Sequence, residues 1–151
     1  MQITPDIFNP SNFVKAGIVN QLLTAPTATN DIGVVTFSTC SDKEGKFTFD
    51  EASSSYNPNP MIKGKNVNFD LQGIVSSPMD VSKIHLHVNW NGTPLYDQDY
   101  KEGVHFDSSL DIKLSWYVPT YAPNGKYDLT LVGYDSDGVT SDMCVGASFQ
   151  F

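Results

Sequence analysis

The sequence predicts an all-β protein: an immunoglobulin-like antiparallel β-sandwich of two sheets with an N-terminal helical extension. Three observations predict it. Apolar and polar residues alternate with a period of two in successive segments after Gly33; Asn, Gly and Pro clusters separate those segments; and helical spacing appears only before Pro26. Residues 1–32 are therefore read as an N-terminal extension with a short amphipathic helix, and residues 33–151 as the sandwich domain.

The extension comes first. Ser11 is the expected N-cap, Val14, Ile18, Val19 and Leu22 recur at helical spacing, and Pro26 stops the pattern, which places a helix at roughly 12–23. A helix packed on the sandwich is the plainer reading; a lid, or a surface for a protein partner through residues 11–23, is the functional one. Lys15 is its one cation, which argues against a cation-rich membrane-surface helix.

The strands follow in order. Val35 and Phe37 lead to Cys40, and Phe47 and Phe49 flank a polar residue. Val67, Phe69 and Leu71 alternate with Asn66, Asn68, Asp70 and Gln72. Ile84, Leu86, Val88 and Trp90 alternate with Lys83, His85, His87 and Asn89. Leu110, Ile112, Leu114 and Trp116 alternate with Asp111, Lys113 and Ser115. Tyr127, Leu129 and Leu131 precede the Asp135-Ser136-Asp137-Gly138 turn, and Val145, Ala147, Phe149 and Phe151 alternate again. One oily and one wet face per strand is what two antiparallel sheets packed face to face require. Asn91-Gly92 between Trp90 and Leu95 is a strong hairpin mark. About seven or eight strands are expected, the outline of an immunoglobulin-like sandwich.

At 151 residues the chain is long enough for one self-sufficient core. Its net charge is −8 and all nine cations are lysines, a balance that excludes nucleic acid as a partner. No apolar run approaches the roughly 18 residues of a membrane helix. Met1 to Pro10 contains acid and proline in place of a basic start and apolar core, so no signal peptide is visible. Cys40 and Cys144 read as two buried reduced thiols or as one disulfide; spacing leaves both open.

Catalytic chemistry finds no support. There is no nucleophile elbow, phosphate loop or Cys/His pair, and carboxylate pairs such as Asp97/Asp99 or Asp107/Asp111 are ordinary in an acidic chain. His85-x-His87 puts two imidazoles on one strand face, a geometry for two metal ligands, with His105 a third only if folding brings it there. Solvated histidines and no metal site are the expectation, and no cofactor.

The closing block, Pro123-x-Gly125-x-Tyr127, then Tyr134-Asp135, Cys144 and the aromatic-ended strand Phe149–Phe151, resembles the end of an ML (MD-2-related lipid-recognition) domain of the NPC2-like group. Two further blocks are similar to the same family, in particular its phosphatidylglycerol/phosphatidylinositol transfer branch. They are Tyr56-Asn57-Pro58-Asn59-Pro60 with Gly64, Val67-x-Phe69 and Gly73, and the strand Ile84–Trp90 with Asn91-Gly92. The likeness covers roughly residues 34–151. It lacks the additional cysteines common in the family and carries an unusually long leader.

The resemblance implies a non-enzymatic lipid carrier, secreted or resident in the endolysosomal lumen. A sterol or phospholipid would lie between the two sheets as cargo, and membrane contact would be transient. The residues implied to line it are Phe69, Leu71, Leu86, Val88, Trp90, Leu114, Trp116, Leu129, Leu131 and Phe149, with Val118 and Tyr121 at the mouth. Burial of several hundred Å² of lipid would contribute on the order of 10 kcal/mol before ordering costs. The alternative is an interaction module, a filled immunoglobulin-like sandwich that binds protein through its edges or its helix. The resemblance also implies a Cys40–Cys144 disulfide. Thiol titration of unfolded, unreduced protein from an oxidising host is expected to find no free thiol; two per chain would refute the pairing.

Overall fold

The alternation read from the sequence appears in the backbone as two five-stranded sheets. The computed structural model describes residues 2–17, 31–39, 47–101, 103–137 and 141–151. Its strands are β1 (Gln2–Ile3), β2 (Thr36–Thr39), β3 (Phe47–Phe49), β4 (Ser55–Asn57), β5 (Lys65–Val75), β6 (Met79–Val81), β7 (Lys83–Trp90), β8 (Thr93–Tyr100), β9 (Val104–Phe106), β10 (Ser109–Val118), β11 (Lys126–Tyr134) and β12 (Ser141–Gln150). An α-helix, α1 (Pro10–Lys15), precedes β2, and a 3-10 turn spans Glu51–Ser53 between β3 and β4. The first sheet runs β1-β10-β5-β3, with β4 also paired to β5. The second runs β2-β12-β11-β7-β8, and β6 and β9 form a separate two-stranded ribbon. The strands beyond the expected number, β1, β4, β6 and β9, have two or three residues each, too few to display a period.

Every long alternation turns its oily side inward. Phe69 and Leu71 of β5, Leu110, Ile112, Leu114, Trp116 and Val118 of β10, Ile84, Leu86 and Val88 of β7, Tyr127, Leu129 and Leu131 of β11, and Val145, Ala147 and Phe149 of β12 are all buried in one core. The Asn91-Gly92 turn is a hairpin with both residues at positive φ, 48° and 81°, as the right-handed twist of its strands favours. Asn91 Oδ1 also accepts from the Lys126 backbone N–H at 2.8 Å, tying the turn to the start of β11.

The N-terminal segment departs from expectation in three ways. The N-cap is Asn9, not Ser11: its side chain accepts from the Ser11 N–H, and Pro10, which has no N–H to satisfy, opens the helix. Among the described residues the helix ends at Lys15, with Ala16 as C-cap, so the expected helix at 12–23 is shorter at this end and begins two residues earlier. The inward residue is Phe13; Val14 is 69% exposed. Ile18, Val19 and Leu22 lie outside the described residues.

The segment also joins the sandwich. β1 pairs parallel with β10 at one sheet's edge, and α1 lies against β8 at the edge of the other. Ile3, Ile7, Phe8 and Phe13 are buried in the shared core.

Gly33 pins the approach to β2 against the end of β12 and the loop at Met61. Its N–H donates to the Gln150 carbonyl at 2.9 Å and its carbonyl accepts from the Met61 N–H at 2.8 Å. Its φ is +75°, and a Cβ there would overlap the Met61 carbonyl oxygen. Gly33→Ala is expected to cost about 1–3 kcal/mol in a denaturant titration. An unchanged midpoint would show that the segment around Met61 yields freely.

Candidate functional site

Ten of the twelve residues implied to line a lipid site come together in the structure. Phe69, Leu71, Leu86, Val88, Leu114, Trp116, Val118, Leu129, Leu131 and Phe149 belong to one buried cluster between the sheets. Trp90 is partly buried and packs against that cluster. Tyr121 stands apart from it, 58% exposed. Val118, placed at the mouth by the resemblance, is fully buried, because it occupies an inward register position at the end of β10.

The strand period brings rings together at one end. Phe69 stacks on Trp116 with centroids 4.8 Å apart, Trp116 reaches Phe149 at 6.3 Å, and Phe149 stacks on Tyr127 at 5.2 Å. The Trp116–Phe149 contact crosses from the first sheet to the second. Phe8 of the leader touches Tyr127 at 5.3 Å. Tyr56 stacks on Phe69 at 5.6 Å, and Phe37 of β2 meets Phe49, Tyr56 and Phe69. Phe8 lies outside any periodic segment, so no pattern in the sequence marks it.

Polar groups in this layer are few and unequally served. The Tyr127 hydroxyl donates to the Pro123 carbonyl at 2.7 Å, and burial pushes its pKa far above the usual phenol range. The indole N–H groups of Trp90 and Trp116 are buried and have no hydrogen-bond partner among the described residues. A buried donor left unpaired costs about 1–3 kcal/mol, so each is a standing demand for an acceptor.

The aromatic loop after β10 borders this end. Tyr117 and Tyr121 are exposed, as is Ile62 on the neighbouring loop, while Ala122 is buried. Together with Pro119 and the Pro5–Pro10 segment, the two tyrosines line a surface cleft of about 220 Å³. The two loops are tied together: Gly64 N–H donates to the Val118 carbonyl at 2.6 Å and Lys63 Nζ to Asn124 Oδ1 at 2.9 Å. A second cleft of about 320 Å³ lies over Val34, Thr36, Ser148 and Phe149.

Cys144 sits on β12 opposite Val132. Thr39, the last described residue of β2, pairs with the adjacent Val145, and no described cysteine is free. Cys40 itself lies outside the described residues.

Of the groups weighed for catalysis or metal binding, His85 and His87 lie together beside Asp97 and Asp99, while His105 stands apart. His105, on β9, bonds Asp80 and Asp107 rather than joining the other histidines. Asp111 couples to Asp70 across β5 and β10: the hydrogen bond between the two carboxyls raises the Asp70 pKa and lowers that of Asp111. The Asp135 carboxylate accepts from Ser136 N–H, closing a turn.

No family model matches the sequence, and no curated protein matches it. Among solved structures, the chain is similar to a Niemann-Pick type C2 protein from Japanese carpenter ant, with 14% identity, 76% of this chain and 98% of that one covered, and a TM-score of 0.49. It is similar to a protein from Archaeoglobus fulgidus, with 14% identity, 69% and 98% covered, and a TM-score of 0.42. A third similarity is to chicken MD-1 complexed with lipid IVa, with 10% identity, 77% and 88% covered, and a TM-score of 0.35.

The His105 arrangement yields a pH prediction. Hydrogen bonds to Asp80 and then Asp107 occupy both ring nitrogens and hold its pKa above the ordinary value. Its stabilising contribution is therefore fully present below the unfolded pKa of about 6.5 and is lost as pH rises through the higher folded value. An NMR titration of the His105 ring should give a midpoint above about 6.5, lowered by Asp80→Asn. An unshifted midpoint would show that the exposed carboxylates do not hold the ring.

Proposed function

We propose that the protein binds a lipid, with its apolar part between the two sheets and its head near the loops that carry Ile62, Tyr117 and Tyr121. The observation that carries this reading is the unpaired Trp116 N–H, buried in an otherwise apolar aromatic layer. An ester carbonyl or a hydroxyl oxygen reaching that layer would satisfy the donor while an acyl chain or ring system replaced its apolar contacts. Trp90 N–H offers a second such donor at the same end. Burial of apolar cargo drives binding, and no group need react, in keeping with a carrier and not an enzyme.

The interior as folded is packed ring on ring, so cargo enters by parting the sheets at the aromatic end. The contacts that cross between the sheets there, and that parting would have to break, include Lys63 to Asn124, the Val35 N–H to the Tyr56 hydroxyl, Trp116 against Phe149, and Phe37 against Phe49, Tyr56 and Phe69. Exposed tyrosines suit the polar–apolar boundary of a bilayer, and a net charge of −8 gives no general attraction to anionic membranes. Sterol and phospholipid both fit these requirements. The one disulfide proposed, Cys40 to Cys144, would hold the β2–β12 edge while the other end opens, and belongs with an oxidising compartment such as the secretory or endolysosomal lumen.

The second reading, a filled module that binds protein, is favoured by that same close packing. Organic extraction and mass spectrometry of freshly purified protein separate the two: a bound lipid is expected, and no lipid together with no uptake from vesicles would overturn the carrier reading. Leu129→Trp should displace lipid before it unfolds the protein; in a permanently filled core it would cost roughly 1–3 kcal/mol with nothing to displace. Tyr121→Asp should slow transfer between vesicles and change stability by under about 0.5 kcal/mol, as exposed positions do.

A further inference from the structure

The geometry points to a divalent transition-metal site on the outer face of the second sheet, built by His85 and His87 of β7 and Asp97 of β8. One donor atom from each lies within 4.8 Å of the others. His85 Nε2 is 2.6 Å from Asp97 Oδ1, and His87 Nδ1 is 3.6 Å from Asp97 Oδ2.

The far side of each ring is already committed. His85 Nδ1 lies 2.5 Å from Asp99 Oδ1 and His87 Nε2 lies 2.8 Å from Asn89 Oδ1. A carboxylate oxygen and an amide oxygen only accept hydrogen bonds. In its neutral form each imidazole would therefore carry its proton on the nitrogen turned away from Asp97. That leaves the lone pairs of His85 Nε2 and His87 Nδ1 facing carboxylate oxygens, acceptor against acceptor. A cation placed among them converts this repulsion into a convergent donor set. Oxygen acceptors behind metal-bound imidazoles are also what fixes tautomer and raises ligand basicity at such sites.

The β7–β8 register assembles the group, and it depends on a bulge. Trp90 pairs with Thr93 and Asn89 with Pro94, but Val88 pairs with Tyr96, so Leu95 is the extra residue. Beyond it Asp97 stands opposite His87 and Asp99 opposite His85. Without the bulge those places would fall to Tyr96 and Gln98. Bulges commonly re-aim side chains in this way.

Two imidazoles and one carboxylate suit zinc and its neighbours rather than calcium or magnesium, and leave a fourth position for solvent. Metal–ligand bonds of about 2.0–2.1 Å in a tetrahedron place ligands roughly 3.4 Å apart. The Asp97 side chain, 58% exposed, has room to rotate to that spacing, and the site is open to ions in solution. It lies on the sheet face opposite Leu86 and Val88, so it stands or falls independently of any lipid.

The competing state is a metal-free one in which both rings take a second proton and pair with Asp97. Calorimetric titration of chelator-stripped, tag-free protein with zinc at neutral pH distinguishes the two. One ion per chain is expected, with affinity lowered at least tenfold by His85→Gln, His87→Gln or Asp97→Asn and left unchanged by His105→Gln. In the unmodified protein, zinc should shift the His85 and His87 ring resonances and leave those of His105 in place, a readout that needs no variant to fold. No binding at submillimolar zinc, unshifted His85 and His87 rings, or binding lost in His105→Gln but kept in folded His85→Gln would each overturn the site.

Discussion

The contact on which this structure depends is the run of rings that crosses from one sheet to the other, Phe69 on Trp116, Trp116 against Phe149, and Phe149 on Tyr127. Aromatic pairs of this kind contribute about 0.5–1.5 kcal/mol each beyond the area they bury. Here they also fix relative position, since each ring is delivered by a different long strand. The Tyr127 hydroxyl anchors the run at its loop end by donating to the Pro123 carbonyl. For the proposed lipid cargo the same rings would set the terms: a flat, apolar layer can give up ring contacts with little polar cost, provided the cargo brings an oxygen for the indole donors.

Strand β7 shows how one element serves two independent purposes. Its inward residues Ile84, Leu86 and Val88 are fully buried against the opposite sheet. Its outward residues His85 and His87 meet Asp97 and Asp99 across the edge hairpin. Because side chains alternate with a period of two, chemistry on one face does not disturb packing on the other. A salt link from Lys83 Nζ to Asp99 at 3.9 Å lies on the same outer face and, with its side chains partly exposed, contributes at most a few tenths to about 1 kcal/mol.

The N-terminal segment changes how the edges of the sandwich are protected. An exposed edge strand offers unpaired backbone groups to other chains. β1 covers the outer side of β10 and α1 rests on β8, so residues 2–16 run from the edge of one sheet to the edge of the other. Asn12 Nδ2 donates to the carbonyls of Asp6 and Ile7 and holds the turn that makes this crossing. Phe8 then reaches the ring run at Tyr127. The leader and the aromatic end are thus in direct contact, through Phe8 and through the pairing of β1 with β10, the strand that carries Trp116.

The sequence by itself determined the sandwich, the inward residues of its long strands and the Asn91-Gly92 hairpin, because a period of two and a pair of positive-φ residues are local properties that a strand or a turn must display. It also selected the buried layer between the sheets, since any inward residue of a long strand had to join it. Tertiary structure alone decided the rest. The Asn9 cap and the burial of Phe13 over Val14 follow from how the leader crosses the edges, and Val118 is buried and Tyr121 exposed because β10 ends where it does. The convergence of Asp97 on His85 and His87 rests on one bulged residue, Leu95, which shifts the register of β8. A one-residue shift exchanges the faces of every side chain beyond it, and no local pattern in β7 or β8 records where that shift occurs.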